Sequence, residues 1–259
     1  MGYGPAATAM MASRTAERHA AFFVTHLKPG MKVLDCGCGP GSITLGLAEI
    51  VAPGEAIGTD VEDSQLELGR NAAMKRGLSN AHFECADAYQ LPFADESFDA
   101  VFISAVLGNL REPLRGLAEI YRVLKPGGVI GVKEFDHGGD LLYPLDANLL
   151  ESLELYYRLR REYGHDPESG RKVLGLLVQA GFRDCTMKAT YETFSGSEVL
   201  PQFGAVYAML VAEAFAEPLQ RLGWVSPEAM QGMIKSWQEF AKHPGALFAL
   251  TWCEGLAWK

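Results

Sequence analysis

Val33-Leu34-Asp35-Cys36-Gly37-Cys38-Gly39-Pro40-Gly41 decides how this chain reads. Met31–Cys36 is a short apolar run bounded by glycine, the pattern of a buried strand. Gly37, Gly39 and Gly41 follow, and Ile43–Val51 (ITLGLAEIV) then reads as a helix. Glycines let the backbone take positive φ and approach a ligand closely. The helix N-terminus adds N–H groups and a positive dipole end, suited to a carboxylate or phosphate. A dinucleotide-binding G-x-G-x-x-G counted from Gly37 would need glycine at position 42, which is Ser42. The Gly-Lys-Ser/Thr of a P-loop is also absent. The loop is therefore of neither the NAD nor the ATP type.

Outward from this unit the same rhythm repeats. A second strand, AIGTD, ends in Asp60, and residues 63–75 read as a helix. Ala81–Cys85 is a third strand and Phe98–Ser104 a fourth. Arg111–Leu124 is expected to be a helix stopped by Lys125-Pro126-Gly127-Gly128, and Val129–Phe135 is a fifth strand. Before the loop, residues 11–27 show helical spacing ended by Lys28-Pro29-Gly30. Such alternation is the signature of a parallel sheet covered on both faces. After residue 136 it breaks. Residues 144–163 and 168–180 read as helices, and 183–193 as a strand. Residues 196–243 read as helix interrupted by Pro218 and Pro227, and 246–258 as a closing strand. The expected organisation is an N-terminal helical lid (1–30), a ligand-binding core (31–136), and a remainder (137–259). That remainder completes the sheet and carries helical cap insertions near 137–166 and 195–244.

Composition narrows the function. The chain has 259 residues, 48% hydrophobic and 21% charged, which is ordinary globular usage. The formal charge of −9 argues against a nucleic-acid surface. No stretch reaches the roughly 18 consecutive apolar residues that span a bilayer, and the N-terminus lacks signal-peptide character. Five scattered cysteines give no disulfide framework. Cys36-x-Cys38 lacks a second ligand pair at zinc spacing, so no metal is expected. The chain reads as cytoplasmic. All four tryptophans lie at or beyond position 224, in an aromatic-rich, charge-poor C-terminal region.

The segment VLDCGCGPGSITLGLA resembles motif I of class I S-adenosylmethionine-dependent methyltransferases. CADAYQLPF, LPFADESFDAVF and REPLRGLAEIYRVLKPGGVI resemble later blocks of that family, in order. The similarity covers roughly residues 12–135, and weakly the AGF at 180–182. It is greatest to the small-molecule branch typified by quinone-biosynthesis C-methyltransferases. It implies a Rossmann-like α/β fold, with a seven-stranded, mostly parallel sheet, helices on both faces and helical caps. It also implies S-adenosylmethionine as cofactor and S-adenosylhomocysteine as product. Asp60 would bind both ribose hydroxyls, since a carboxylate accepts two hydrogen bonds from a vicinal diol. Asp87 would receive the adenine amino group. Ser13–Glu17 resembles glycine N-methyltransferase, which assigns the cofactor's carboxylate to Arg14. Asp35, Gly37, Cys38, Gly39, Gly41, Val61, Gln65, Ala88 and Ser104 complete the implied cofactor site.

Methyl transfer is an in-line displacement, and the enzyme's main task is to hold the acceptor about 3 Å from the methyl group. A base is needed only where the acceptor must lose a proton. The family often has a histidine after the fourth strand; here Gly108-Asn109 stands there. The nearest alternative is Asp136-His137 after the fifth strand, where an imidazole can accept a proton near neutral pH; the plain reading of HGGD is a glycine-rich turn. Tyr3, Asn109, Phe203 and Tyr207 are the candidate substrate-pocket residues, although cap aromatics also serve as cap core. The expected partner is a small-molecule methyl acceptor, with no nucleic acid and no membrane, and the low charge permits a homodimer. The alternative function is a protein of the same fold that binds S-adenosylmethionine and cyclises, decarboxylates or regulates.

Overall fold

A computed structural model describes residues 4–259 of the chain. The chain divides into two compact units, taken in turn.

The first unit comprises residues 11–135, 168–190 and 252–259. Its strands are β1 (Lys32–Cys36), β2 (Glu55–Asp60), β3 (Ala81–Cys85), β4 (Phe98–Ser104) and β5 (Leu124–Phe135), all parallel in the order β3-β2-β1-β4-β5. Val33–Cys36 on β1 and Ala100–Ile103 on β4 are wholly buried, as central parallel strands must be. The helices are α1 (Pro5–Ala12, entering from the other unit), α2 (Ala16–His19), α3 (Ala21–Val24), α4 (Ser42–Val51), α5 (Asp63–Arg76) and α6 (Pro113–Val123). One face of the sheet packs Phe23, Leu47 and Leu66 against Phe102. The opposite face packs Leu117 and Ile120 of α6, with Leu177, against Leu34 and Val132.

Two expectations change here. The stretch 11–27 is not one helix. Thr15 accepts the Arg18 amide through its hydroxyl, starting α2 afresh, and Ala20 leaves helical geometry at φ −119°. The helix before Lys125 also ends earlier than expected, at Val123. β5 already begins at Leu124, and the Lys-Pro-Gly-Gly segment forms an irregularity between the pairs Phe98–Leu124 and Ala100–Val129.

The second unit comprises residues 136–167 and 191–251 together with those up to position 10. It holds β6 (Leu141–Tyr143), α7 (Ala147–Glu162, capped by Asp146) and a helical run beginning with α9. Between these, in the first unit, lie α8 (Val173–Gln179) and the start of β7 (Arg183–Ser195). The helical run comprises α9 (Gly196–Leu210), a π-helical turn (Val211–Phe215), α10 (Ala216–Arg221) and α11 (Pro227–Phe240). Pro218 therefore does not stop the helix. A proline ring collides with the carbonyl four residues earlier in an α-helix, and the π turn immediately before absorbs the mismatch. By length and composition alone, Gly196–Arg221 could cross a membrane, with a mean hydropathy of 1.5. Its Phe203 and Tyr207 pack on Trp237 of α11, at 6.3 and 4.6 Å between ring centroids.

β8 (Leu247–Trp258) runs from one unit into the other. Its first part pairs antiparallel with β6, and residues 252–258 pair antiparallel with β5; β7 also pairs with β8. Among the described residues the sheet thus has eight strands rather than seven. The extra strand is the three-residue β6, too short to show a period.

Candidate active site

The glycine loop is held by the end of β2. Gly37 and Cys38 donate their amides to the Thr59 carbonyl, at 2.7 and 2.9 Å, and Gly39 donates to Asp60 Oδ2 at 2.9 Å. Gly41 donates to the Cys38 carbonyl. With Pro40 lacking a donor, these loop amides are already engaged, so the loop is not a phosphate cradle. Gly41 has φ +75°, and a Cβ there would collide with the Phe83 ring. Gly37, at φ +76°, lies equally close to Val106. Both glycines are thus demanded by the protein's own packing. Gly39 faces Met11 at the end of α1, whose carbonyl also accepts the Ser42 hydroxyl at 3.0 Å.

Asp60 is 5% exposed, and its second oxygen accepts the Glu62 amide at 3.1 Å. Asp87 stands exposed after β3. Its Oδ1 accepts the Tyr89 amide at 2.9 Å, and Oδ2 has no hydrogen-bond partner among the described residues. Ala88 follows, half-buried. Val61 is exposed, and Gln65 is buried on α5. At the end of β4 the Ser104 hydroxyl is buried without a hydrogen-bond partner among the described residues. The next residue, Ala105, sits at φ +57°. Strain of this kind in a non-glycine residue costs about 1–3 kcal/mol and gathers at functional sites. A buried, unpaired hydroxyl is likewise expensive unless a ligand satisfies it.

Asp35 is placed differently from a ligand-facing residue. It is 3% exposed and accepts the Thr44 hydroxyl at 2.6 Å. Burial pushes its carboxyl up to about 7, against the Thr44 hydrogen bond that lowers it, with the Asp60 charge adding to the rise. Burial likewise pushes the Cys36 thiol up to about 12 and the Cys38 thiol upward. Neither is a thiolate near neutral pH, and no metal-binding cluster gathers among the described residues. The Arg14 guanidinium lies 5.1 Å from the Trp252 ring and 5.6 Å from the Phe135 ring, which stack at 3.8 Å. It is thereby fixed beside the C-terminal end of β5. Asn109 donates to the Ala105 carbonyl at 2.7 Å, bracing the strained turn.

In the second unit, His137 is 9% exposed and opens a short 3-10 turn, His137–Gly139. Its Nδ1 meets Asp140 Oδ2 at 2.8 Å. Asp136, the other candidate catalytic residue, is buried, and its amide donates to the Thr251 carbonyl. Sequence reasoning missed Asp140, although an acid three residues after His137 across two glycines was the available signal. Phe203 and Tyr207 are buried in an aromatic cluster with Phe194, Trp237 and Phe248. Burial pushes the Tyr207 phenol well up, so it stays protonated. Tyr3 lies outside the described residues.

The residues of the first unit fit a nucleoside carrying a vicinal diol and an exocyclic amine, with an unsatisfied hydroxyl at the adjoining strand end. Comparisons with known proteins bear on the family. A methyltransferase-domain family model matches residues 27–181. The chain is 33% identical to an uncharacterised methyltransferase of Schizosaccharomyces pombe, over 65% of this chain and 63% of that one. It is 34% identical to the ubiquinone/menaquinone biosynthesis C-methyltransferase UbiE of Ectopseudomonas mendocina, over 67% and 72%. With a probable methyltransferase, ltbC, of Aspergillus luteorubrus it shares 30% identity over 100% and 96%. Among solved structures, the YcgJ protein of Bacillus subtilis aligns with TM-score 0.62 at 19% identity, covering 94% and 98%. The [4+2]-cyclase SpnF aligns with TM-score 0.52 at 26% identity, covering 95% and 79%. The family match over residues 27–181, with these relatives, makes the chain a member of the methyltransferase-domain family, of the class I S-adenosylmethionine-dependent type.

Proposed function

We propose that the enzyme methylates a small, partly apolar metabolite on oxygen, nitrogen or carbon, in the cytoplasm. The observation that carries the cofactor half of this reading is the set Asp60, Asp87 and Ser104 at the C-terminal ends of β2, β3 and β4, where open α/β sheets bind ligands. Asp60 would hold the ribose, Asp87 the adenine amine and Arg14 the cofactor carboxylate. Bound there, the cofactor supplies a methyl group on a sulfonium, transferable in line to a nucleophile. The formal charge of −9 disfavours a nucleic-acid acceptor. The similarity to UbiE, named for quinone biosynthesis, supports a ring-bearing small molecule. His137 lies two residues past the end of β5 and is the candidate base, with Asn109, Tyr3, Phe203 and Tyr207 as candidate pocket residues. The apolar, charge-poor C-terminal region is compatible with a homodimer.

The test is S-adenosylhomocysteine release with S-adenosylmethionine and a panel of quinols, phenols and enolisable diketones. Product above the no-acceptor rate is expected. The likeness to SpnF, titled a [4+2]-cyclase, favours one second reading: a cofactor bound but not consumed. Tight cofactor binding with no S-adenosylhomocysteine on any acceptor would select that reading.

A further inference from the structure

We propose that the second unit carries a binding site for a small apolar molecule bearing an ammonium group, in a cavity lined by the π turn of its helical run. The site lies wholly within that unit and does not depend on the methyl-transfer reading.

The cavity has a volume of about 680 Å³ and is lined by the start of α1, by Tyr163, and by residues of the run from Leu210 to Pro218. Small-molecule sites fall at roughly 300–1,000 Å³. The wall is mainly apolar, with Ala6, Leu210 and Pro218 buried. Its two carboxylates are Glu213 and Glu217. Residues 199–220 contain no other charged side chain, so both acids of an otherwise apolar stretch stand on this one cavity. The main chain adds an acceptor. Pro218 has no amide hydrogen, so the carbonyl one turn before it, on Ala214 at α spacing or Glu213 at π spacing, loses its usual helical donor. Glu213, Ala214 and Pro218 all line the cavity. The π turn Val211–Phe215 falls at the same place, and such turns recur at functional sites.

The neighbouring cation is already engaged. Arg221 Nη1 lies 3.7 Å from Glu217, and its Nη2 donates to the Tyr163 hydroxyl at 3.3 Å. No ion pair or hydrogen bond reaches the Glu213 side chain among the described residues. Two carboxylates beside one guanidinium leave one net negative charge, and the carboxylates and the proline-freed carbonyl are all acceptors. A fitting ligand therefore donates hydrogen bonds, carries positive charge and presents an apolar body to the rest of the wall. An alkyl- or arylalkylammonium does all three. An alcohol has a single donor, and a carboxylate is repelled. A hydrated metal ion needs more oxygen ligands than this wall offers.

The test is a titration of the full chain without cofactor, followed by carbon-13 shifts of alanine methyl groups. Ala6, Ala7 and Ala214 line the cavity and report on it. The probes are hexylamine, phenethylamine and tryptamine, each compared with the alcohol of the same skeleton. At least one amine should shift these three methyls and bind about tenfold or more tightly than its alcohol. Glu213→Gln keeps the shape of the wall and should bring that amine to the affinity of the alcohol. Glu228→Gln, at an exposed acid of α11 outside the cavity, should leave it unchanged. Raising sodium chloride from about 0.05 to about 0.5 M should weaken the amine and spare the alcohol. No shift at the three methyls with any amine overturns the proposal. So does an amine that binds no more tightly than its alcohol, or equally well to Glu213→Gln. The titration is made without cofactor, so its failure is distinct from failure to bind S-adenosylmethionine.

Discussion

The carboxylate of Asp35 and the hydroxyl of Thr44 form a 2.6 Å hydrogen bond wholly inside the first unit, tying β1 to the first turn of α4. Burial raises the Asp35 carboxyl to about 7 in the folded chain, whereas the unfolded value is near 3.8. The folded state therefore binds the proton more tightly. The stabilisation is full below about pH 4 and is lost as pH rises through about 7, with a limiting slope of about 1.4 kcal/mol per pH unit. Asp35→Asn removes the titration. Urea unfolding from pH 4 to 8 should show the stability of native protein falling relative to the variant as pH rises; parallel curves would contradict this.

Glycines in the same chain should differ in their tolerance of alanine. Gly30 and Gly41 both have positive φ, at +89° and +75°, but a Cβ meets nothing within 4 Å at Gly30 and strikes Phe83 at Gly41. Gly30→Ala should cost about 1 kcal/mol of backbone strain. Gly41→Ala should cost several kcal/mol, because overpacking adds to strain. Phe83→Leu should recover part of that loss in a double-mutant cycle. Thermal unfolding of the four proteins measures it.

In the second unit Trp237 is fully buried, and its Nε1–H donates to the Ser152 hydroxyl at 3.0 Å. Ser152→Ala leaves that donor unsatisfied and should cost about 1–3 kcal/mol. Trp237→Phe removes the donor together with ring volume. The double variant should therefore be less destabilised than the sum of the two singles, as read by denaturant titration.

Much of this was legible because it is local. The strand–loop–helix at 33–51 declares itself through periodicity and turn chemistry, and the acids Asp60 and Asp87 through the family resemblance of the segments that carry them. The parallel strands do so through apolar runs. What was not legible depends on contacts distant in sequence or on geometry without a period. β6 has three residues, and the π turn at 211–215 shows no compositional mark. The buried Lys133–Glu254 pair, at 2.9 Å, joins residues far apart in the chain. Asp35 reads as part of the ligand loop, yet its side chain turns inward to Thr44. Asp136-His137 reads as an adjoining pair, and only the 3-10 turn reveals that Asp140 folds back onto His137.

Calorimetric titration of S-adenosylmethionine into native chain and into Asp60→Ala, with circular dichroism confirming that the variant is folded, addresses the cofactor site most directly. Native protein should bind one equivalent, and the variant should bind more weakly by about 2–4 kcal/mol, roughly 30- to 1,000-fold, as the ribose hydrogen bonds to a buried carboxylate are lost. No binding by native protein, or equal affinity in a folded Asp60→Ala, would contradict the assignment of this loop and acid to the cofactor.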